Sequence, residues 1–243
     1  MPDIITIIMP YYNNPSMLAR HYIEWAAWPE DLRNHFRFII VDDCSQMPNR
    51  AVGVPRPREI AGLISIYWIT KDKPWNQHGA RNVGAHEALD GWLLLTDMDH
   101  MLVQIEAMKL VALRKVERFV YTFARIEANT GLETRNSRGD LKPHPNSFFM
   151  TRERYWQIGG YDEDYCGIYG TDSLFRSRCA PMGKLPVYLV RYWRELVADA
   201  STNGLPRKEG RDPRAREKVL AHKRAVGREG KIATFLLPWE RVV

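Results

Sequence analysis

No apolar run in the 243-residue chain approaches the roughly 18 residues that a membrane-spanning helix needs. The apolar start, MPDIITIIMP, has no basic stretch before it and so does not read as a signal peptide. Cysteine is scarce. Cys44, Cys166 and Cys179 are odd in number and lack metal-ligand spacing, which reads as reduced thiols in a cytosolic protein. Phosphate-cradling glycine loops are missing too: there is no G-x-x-x-x-G-K-[ST], and no G-x-G-x-x-G after the first apolar run. That excludes a P-loop or a Rossmann dinucleotide site, so a nucleotide would have to be held by a metal and side chains. C-x-x-C, H-E-x-x-H and G-x-S-x-G are also absent, which argues against zinc and serine hydrolases.

What is present is a well-mixed globular composition, 45% hydrophobic and 26% charged, of a length that suits one large domain or one domain with an extension. The net charge of +6 is concentrated. Between positions 206 and 231 stand Arg207, Lys208, Arg211, Arg214, Arg216, Lys218, Lys223, Arg224, Arg228 and Lys231, against four acids, and the rest of the chain balances. Such a segment attracts polyanions such as nucleic acid, an anionic surface or nucleotide phosphates, or it is simply a solvated charged helix.

Apolar runs alternate with helical patterns along the first half. IITIIMP (4–10), FRFIIVDD (36–43), LISIYWIT (63–70), GWLLLTD (91–97) and RFVYTFARI read as strands. NNPSMLARHYIEWAAW reads as a helix with Asn14 as cap and Pro15 at its first position; GARNVGAHEALD and VQIEAMKLVALRKV follow as helices. This βα alternation predicts a parallel, doubly wound sheet with helices on both faces. After about Thr130 it breaks. ETRNSRGDLKPHPN reads as a loop able to cover a site, SFFMT as a short strand, TRERYWQIGGY as a short helix, and TDSLFRSRCA as a helix start with Thr171 as cap. LPVYLVRYW (185–193) reads as a late strand, and DPRAREKVLAHKRAVG as a helix capped by Asp212 with Pro213 in its first turn.

The stretch LLLTDMDH (93–100) carries the first chemical signal. In open α/β sheets ligands bind beyond the carboxyl ends of the strands. Asp42 and Asp43 end the second strand, Asp97 and Asp99 end the fourth, and Asp172 follows YCGIYGTD. Paired carboxylates raise each other's pKa unless a cation sits between them, and hard oxygen ligands suit Mg²⁺ or Mn²⁺. An isolated D-x-D is more often an exposed loop with two solvated acids.

Taken in order, these motifs resemble the family 2 glycosyltransferases of the GT-A fold. IIMPYYNNPSML is similar to the family's first strand and turn, FIIVDDCS to the end of its second, GARNVGAHEA to its A-R-N-x-G helix start, and WLLLTDMD to its metal-binding strand. FFMTRERYWQIGGYDEDYCGIYGTDSLFRSR resembles the acceptor-side block of galactosyltransferase-like members. The resemblance runs from Ile4 to about Arg178 and implies a mostly parallel twisted α/β sheet. It implies a catalytic domain over 1–205, with a nucleotide-sugar half (1–103) and an acceptor half (104–205), and a basic extension over 206–243.

By resemblance, Pro10, Tyr11 and Asp43 line the nucleobase pocket, with Tyr11 stacking on uracil. Arg81 and Asn82 stand near the ribose or diphosphate. Asp97 and Asp99 hold the sugar nucleotide through Mn²⁺ or Mg²⁺, and Asp172 is the base of an inverting transfer. The family often adds a late histidine to the metal shell, and His222 is the only one available. Gly160, Tyr161 and Asp162 fall in the acceptor block, and Trp75, Trp156 and Tyr165 could stack on a sugar or base there, although aromatics at such spacing are more often core. Tyr11 and Tyr12 could equally be core residues, and Asp42 a local cap. The chain departs from the family's [ED]-D pattern, since Thr171 precedes Asp172; Asp162, Glu163 and Asp164 are rival bases.

The expected function is a metal-dependent inverting transfer from a UDP-sugar to a hydroxyl acceptor, in the cytoplasm. The basic segment directs the acceptor expectation to a hydroxymethylated base in DNA, a profile that fits glycosyltransferases of viral type; the base would have to be extruded to reach Asp172. Glycan, lipid or protein acceptors are the alternatives. A nucleotidyltransferase would carry a basic glycine loop that PYYNNPS is not, and a non-catalytic nucleic-acid-binding module leaves the acidic motifs unexplained.

Overall fold

In the computed structural model, which describes residues 4–168, 171–192 and 214–243, the first apolar run forms β1 (Ile5–Tyr11). Side chains alternate across a strand, so a strand buried on both faces must be apolar throughout. In β1, Ile5, Ile7 and Met9 enter one core and Ile8 the other. The same division holds for β2 (Phe36–Asp42) and β4 (Trp92–Leu95): Phe36, Phe38, Ile40, Trp92 and Leu94 face one way, Ile39, Val41, Leu93 and Leu95 the other.

The first core is covered by α1 (Pro15–Ala27), whose Leu18, Tyr22 and Trp25 pack into it. Asn14 caps α1 by accepting from the Met17 amide, and Pro15 opens it, as the sequence predicts. A one-turn α2 (Glu30–Arg33) leads to β2. The second core is covered by α3 (Gln77–Glu87), through Ala80, Val83 and Ala85. Helix α3 lies so close to β1 that a Cβ on Gly84 would stand 2.3 Å from Ile8 Cγ2.

The remaining elements are β3 (Ile64–Ile69), β5 (His100–Met101), α4 (Gln104–Ala112), β6 (Val120–Glu127), β7 (Phe148–Thr151), α5 (Arg152–Gln157), α6 (Asp172–Arg176), β8 (Met182–Arg191), α7 (Ala215–Ala225) and β9 (Trp239–Arg241). The strands form one sheet in the order β5-β8-β6-β7-β4-β1-β2-β3-β9. Pairing is parallel from β3 through β2 and β1 to β4, and again between β6 and β8. It is antiparallel where β7 joins β4 and β6, where β5 joins β8, and where β9 joins β3. The sheet is thus mixed rather than wholly parallel, because the chain reverses direction at the short strand β7.

The late helix begins at Ala215, after Arg214; the expected Asp212 cap and Pro213 lie outside the described residues. Strand β9 has no helical or strand periodicity of its own. It is held by its ladder to β3, by the Thr70 amide donating to Pro238 O (3.0 Å) and by Trp239 Nε1 donating to Glu87 (3.2 Å). The basic carboxyl-terminal segment therefore ends as an edge strand of the sheet. Among the described residues no helix is long and apolar enough to cross a membrane.

Gly84→Ala tests the α3–β1 approach. Helix propensity alone would stabilise this variant by about 1 kcal/mol. The clash with a β-branched strand residue should reverse the sign and cost about 1–3 kcal/mol, read as a lower urea midpoint.

Candidate active site

Strand β1 lies between β2 and β4 and runs parallel to both, so their carboxyl ends converge. That places Tyr11 and Tyr12, Asp42 and Asp43, and Asp97 and Asp99 along one edge of the sheet. Asp42 is a structural cap: its carboxylate accepts from the amides of Ser45 (2.8 Å) and Ala51 (2.7 Å), which fixes the turn after β2. Asp43 turns the other way and accepts twice from Asn76, at its amide and its side chain, both at 3.1 Å. Burial pushes the Asp43 carboxyl up to about 7, against those hydrogen bonds and with help from Asp72 and Asp42.

Tyr11 is not a stacking platform. Its ring is buried in the core and its hydroxyl donates to the carbonyl of Asn49. Pleating decides this, since Tyr11 shares the inward face with Ile7 and Met9. Tyr12, just past the strand, is half-buried and lies within the electrostatic reach of Asp43 and Asp72. Pro10 is likewise half-buried at the strand end.

The D-M-D turn is pinned from below. His21 Nε2 donates to Met98 O (2.8 Å), and the amides of His100 and Tyr192 donate to the carbonyls of Asp97 (3.0 Å) and Asp99 (2.9 Å). The two carboxylates remain partly open, at 28% and 31% exposure. Asp97 pairs with the fully buried Arg81 guanidinium, and its Oδ2 lies 3.6 Å from His144 Nε2. Asp99 Oδ1 meets His100 Nδ1 at 2.7 Å, and the rings of His100 and His144 stand 3.8 Å apart. Burial raises Asp97 above the usual carboxylate range, opposed by Arg81 and reinforced by Asp99. Burial also acts on Asp99, but the His100 charge and hydrogen bond outweigh it and hold that carboxyl low.

Asp172 joins the same cluster. Gln77 Nε2 donates to Asp172 (3.3 Å), Asn146 Nδ2 donates to Gln77 Oε1 (2.8 Å), and Asn146 also reaches Asp97 (3.5 Å). Burial raises the Asp172 carboxyl, opposed by Arg81 and Gln77. Thr171, where the resemblance leads one to expect a second acid, is buried with its hydroxyl 3.2 Å from Nε2 of His78. Nδ1 of His78 lies 3.2 Å from the carbonyl of Asp162 and donates to it. Burial lowers His78 to about 3, so the ring is neutral, and the Thr171 hydroxyl beside Nε2 also donates to the carbonyl of Ile168 (3.2 Å).

Several expected site residues are spent on the protein itself. Asn82 accepts from Tyr155 Oη (2.6 Å) and the Tyr161 amide (2.9 Å) and donates to Tyr161 O (2.8 Å) and Glu163 (2.7 Å), so it pins residues 155–163 to α3 instead of meeting a ribose. Tyr161 is buried and stacked on Phe175 at 3.9 Å, with its hydroxyl between Arg81 and Asn146, both at 3.2 Å. Gly160, at φ +66°, passes so close to Asn82 that a Cβ would lie 2.8 Å from its Oδ1. Asp162 is buried against Lys223 (2.7 Å), and Tyr165 is buried beneath the same ammonium. Trp75 remains half-buried in the turn before α3, where its carbonyl accepts from Gly167 (3.4 Å). Of the rival bases, Glu163 and Asp164 are buried too, on backbone amides and on Lys223 and Arg228.

His222 is not with the aspartates. It is exposed on α7, and its Nε2 lies 3.2 Å from the Arg228 guanidinium, which occupies its lone pair. The histidines beside the aspartates are His100 and His144. His100 adjoins the D-M-D sequence, and His144 lies in the loop read as a cover for the site. Among the described residues no three acidic, histidine or cysteine groups converge as a preformed metal cage. Two partly open carboxylates, each engaged on Oδ1, nevertheless fit a hard divalent cation that keeps waters and ligand phosphates in its shell.

The model of Glycosyl transferase family 2 matches residues 6–171, and the chain belongs to that family. No functionally curated protein matches it by sequence. Among solved structures it is similar to S. aureus TarS 1–349 (TM-score 0.59, 14% identity, 79% of this chain and 61% of that one). It is also similar to TarS 1–349 in complex with UDP-GlcNAc (TM-score 0.55, 15% identity, 78% and 59%). A third similar structure is the mannosyltransferase PcManGT from Pyrobaculum calidifontis in complex with GDP-Man and Mn²⁺ (TM-score 0.56, 17% identity, 96% and 66%). The chain thus spans about three fifths of TarS 1–349, and the likeness establishes the GT-A glycosyltransferase fold.

Asp43 gives a pH prediction. Between its ordinary value of 3.8 and about 7, the folded state holds a proton that the unfolded chain has lost. Its contribution to stability therefore falls as pH rises through that window and is flat above it. Asp43→Asn should narrow the difference in urea stability between pH 5 and pH 8; an unchanged difference refutes the assignment.

Proposed function

We propose that the chain transfers a sugar from a UDP-sugar to a hydroxyl acceptor with inversion at the anomeric carbon. The observation that carries this reading is the line Asp97–Asn146–Gln77–Asp172, which sets a raised carboxylate beside the D-M-D turn. Asp43 and Tyr12 would receive the nucleobase, with Pro10 at the pocket wall. Arg81 would hold Asp97 in place, and Asp97 and Asp99 would take Mn²⁺ or Mg²⁺. That cation supplies charge stabilisation for the departing diphosphate. Asp172 accepts the proton of the acceptor hydroxyl as its oxygen bonds to the anomeric carbon, and the bond to the diphosphate breaks with its electrons leaving on UDP. A carboxylate raised by burial is a better base than one in water. Solved complexes of similar chains with UDP-GlcNAc and with GDP-Man and Mn²⁺ support a nucleotide-sugar donor and a divalent metal.

The proposed acceptor is a hydroxymethylated base in DNA, supported by the ten basic residues between 207 and 231. Lys223 and Arg228 are engaged on Asp162 and Asp164, so the charge facing outward is smaller than the sequence count.

UDP release across a panel of UDP-sugars with Mn²⁺, with and without hydroxymethylcytosine DNA, tests both levels. Asp172→Asn should lose about 10²–10⁴-fold in turnover while retaining UDP binding, as expected for removal of a general base. Asp97→Ala should lose metal-dependent UDP binding. Release from one sugar without stimulation by DNA keeps the transferase and discards this acceptor; no metal-dependent release from any sugar overturns the reading.

A further inference from the structure

Beyond the D-M-D turn, on the side away from β1 and β2, the sheet presents a second charged array. Arg125 and Glu127 are two residues apart on β6 and so share a face. Glu127 is paired in register with Arg191 on β8, and their side chains meet at 3.2 Å. Arg191 is in turn paired in register with His100 on β5, whose ring holds Asp99. The loop after β6 closes over this row: the Thr134 amide donates to Arg125 O (2.9 Å), and the Thr134 hydroxyl reaches Glu127 (3.3 Å).

Arg125 is the anomaly in the row. It is 6% exposed and its Nε is buried without a hydrogen-bond partner, while its terminal nitrogens, which are not buried, enter no hydrogen bond or ion pair among the described residues. Other arginines with the same unsatisfied Nε, the buried Arg81 and the half-buried Arg154, are tied down through their terminal nitrogens. A guanidinium cannot shed its charge, and a buried charge without a counter-ion is costly. Glu127 is engaged by Arg191 at 3.2 Å and makes no hydrogen bond or ion pair with Arg125. Burial and the Arg191 charge both disfavour the charged form of Arg125, against Glu127 and Asp99.

We propose that Arg125, with Arg191 beside it, forms an anion subsite that receives a phosphate group of the acceptor. The position sets it apart from the donor. Strand β6 is separated from β4, which carries the D-M-D turn, by β7, and the nucleobase residues lie beyond β4 on β1 and β2. The step from β4 to β6 is about 10 Å across the sheet, so a phosphate at Arg125 would present a hydroxyl towards Asp99 and Asp172 from the side opposite the nucleotide. This rests on the transferase reading for the word acceptor, but not for the anion.

The test is a thermal-shift titration with inorganic phosphate, with and without saturating UDP and Mn²⁺. Wild type should be stabilised by phosphate even with UDP bound. Arg125→Met should bind phosphate about tenfold more weakly, the loss of one charge-assisted hydrogen bond, and respond to UDP and Mn²⁺ like wild type. The exposed Arg58→Met is the control. If Arg125→Met does not fold, phenylglyoxal labelling of wild type mapped by mass spectrometry decides: phosphate should protect Arg125. Equal phosphate binding by both proteins, or labelling indifferent to phosphate, overturns the subsite. Loss of the UDP response in Arg125→Met assigns the guanidinium to the donor diphosphate instead and overturns the acceptor role. No UDP response in wild type overturns the transferase reading while leaving the phosphate result to stand alone.

Discussion

The fully buried guanidinium of Arg81 is the constraint on which both halves of the site depend. It projects from α3 between the strand-end aspartate Asp97 and the hydroxyl of Tyr161, and its field also reaches Asp172. A charge in this position must be matched, because the cost of removing it from water is recovered only by close partners. The partners come from segments far apart in the chain: the end of β4, the acceptor block and the start of α6. Neutralising Arg81 therefore brings together three segments that are distant in the chain. Next to it on the same helix, Asn82 performs the neutral version of this task, with four hydrogen bonds to residues 155–163.

The carboxyl-terminal segment closes the structure from the other side. The turn Asp162–Glu163–Asp164 buries three acids in succession. Lys223 and Arg228 meet the outer two, while the amides of Phe235 and Leu236 and the side chain of Asn82 bond Glu163. Strand β9 then ties the chain end to β3. Part of the basic excess in the sequence is thus internal counter-charge, and a net-charge count cannot distinguish that from a surface made for polyanions. Which way a lysine points depends on acids sixty residues upstream.

Local rules carry the reading of the sequence furthest where they act alone. Apolar runs, ended by Pro10 in the first case and by aspartate in the other two, mark β1, β2 and β4 and put Asp43, Asp97 and Asp99 at one edge, because a strand buried on both faces has few other patterns. Asn14 and Pro15 fixed the start of α1 for the same reason. The reading failed where one residue of register or a distant partner decides. Tyr11 and Tyr12 are adjacent and chemically alike, yet pleating buries the first and leaves the second half-open. His222 was chosen for its place late in the chain, but proximity to Asp97 and Asp99 belongs to His100 and His144, the latter delivered by a loop with no periodic signal. Strand β9 is three residues long and exists only because the edge of β3 offers it a ladder.

The threonine before Asp172 shows how one substitution in a motif can be absorbed. An acid at position 171 would stand beside Nε2 of a buried, neutral His78 and would either protonate that ring or remain an unmatched charge. A hydroxyl stands beside the same nitrogen without charge. His78 in turn donates to the backbone of Asp162, the residue held by Lys223. The start of α6, and with it Asp172, is therefore linked through Thr171, His78 and Asp162 to the Lys223 ammonium of the carboxyl-terminal helix. Burial raises the Asp172 pKa, and among the described residues the charge that opposes the shift is Arg81, with the Gln77 hydrogen bond beside it. The same guanidinium that fixes Asp97 thus bears on how basic Asp172 is, which couples the D-M-D turn to the start of α6 through a single side chain.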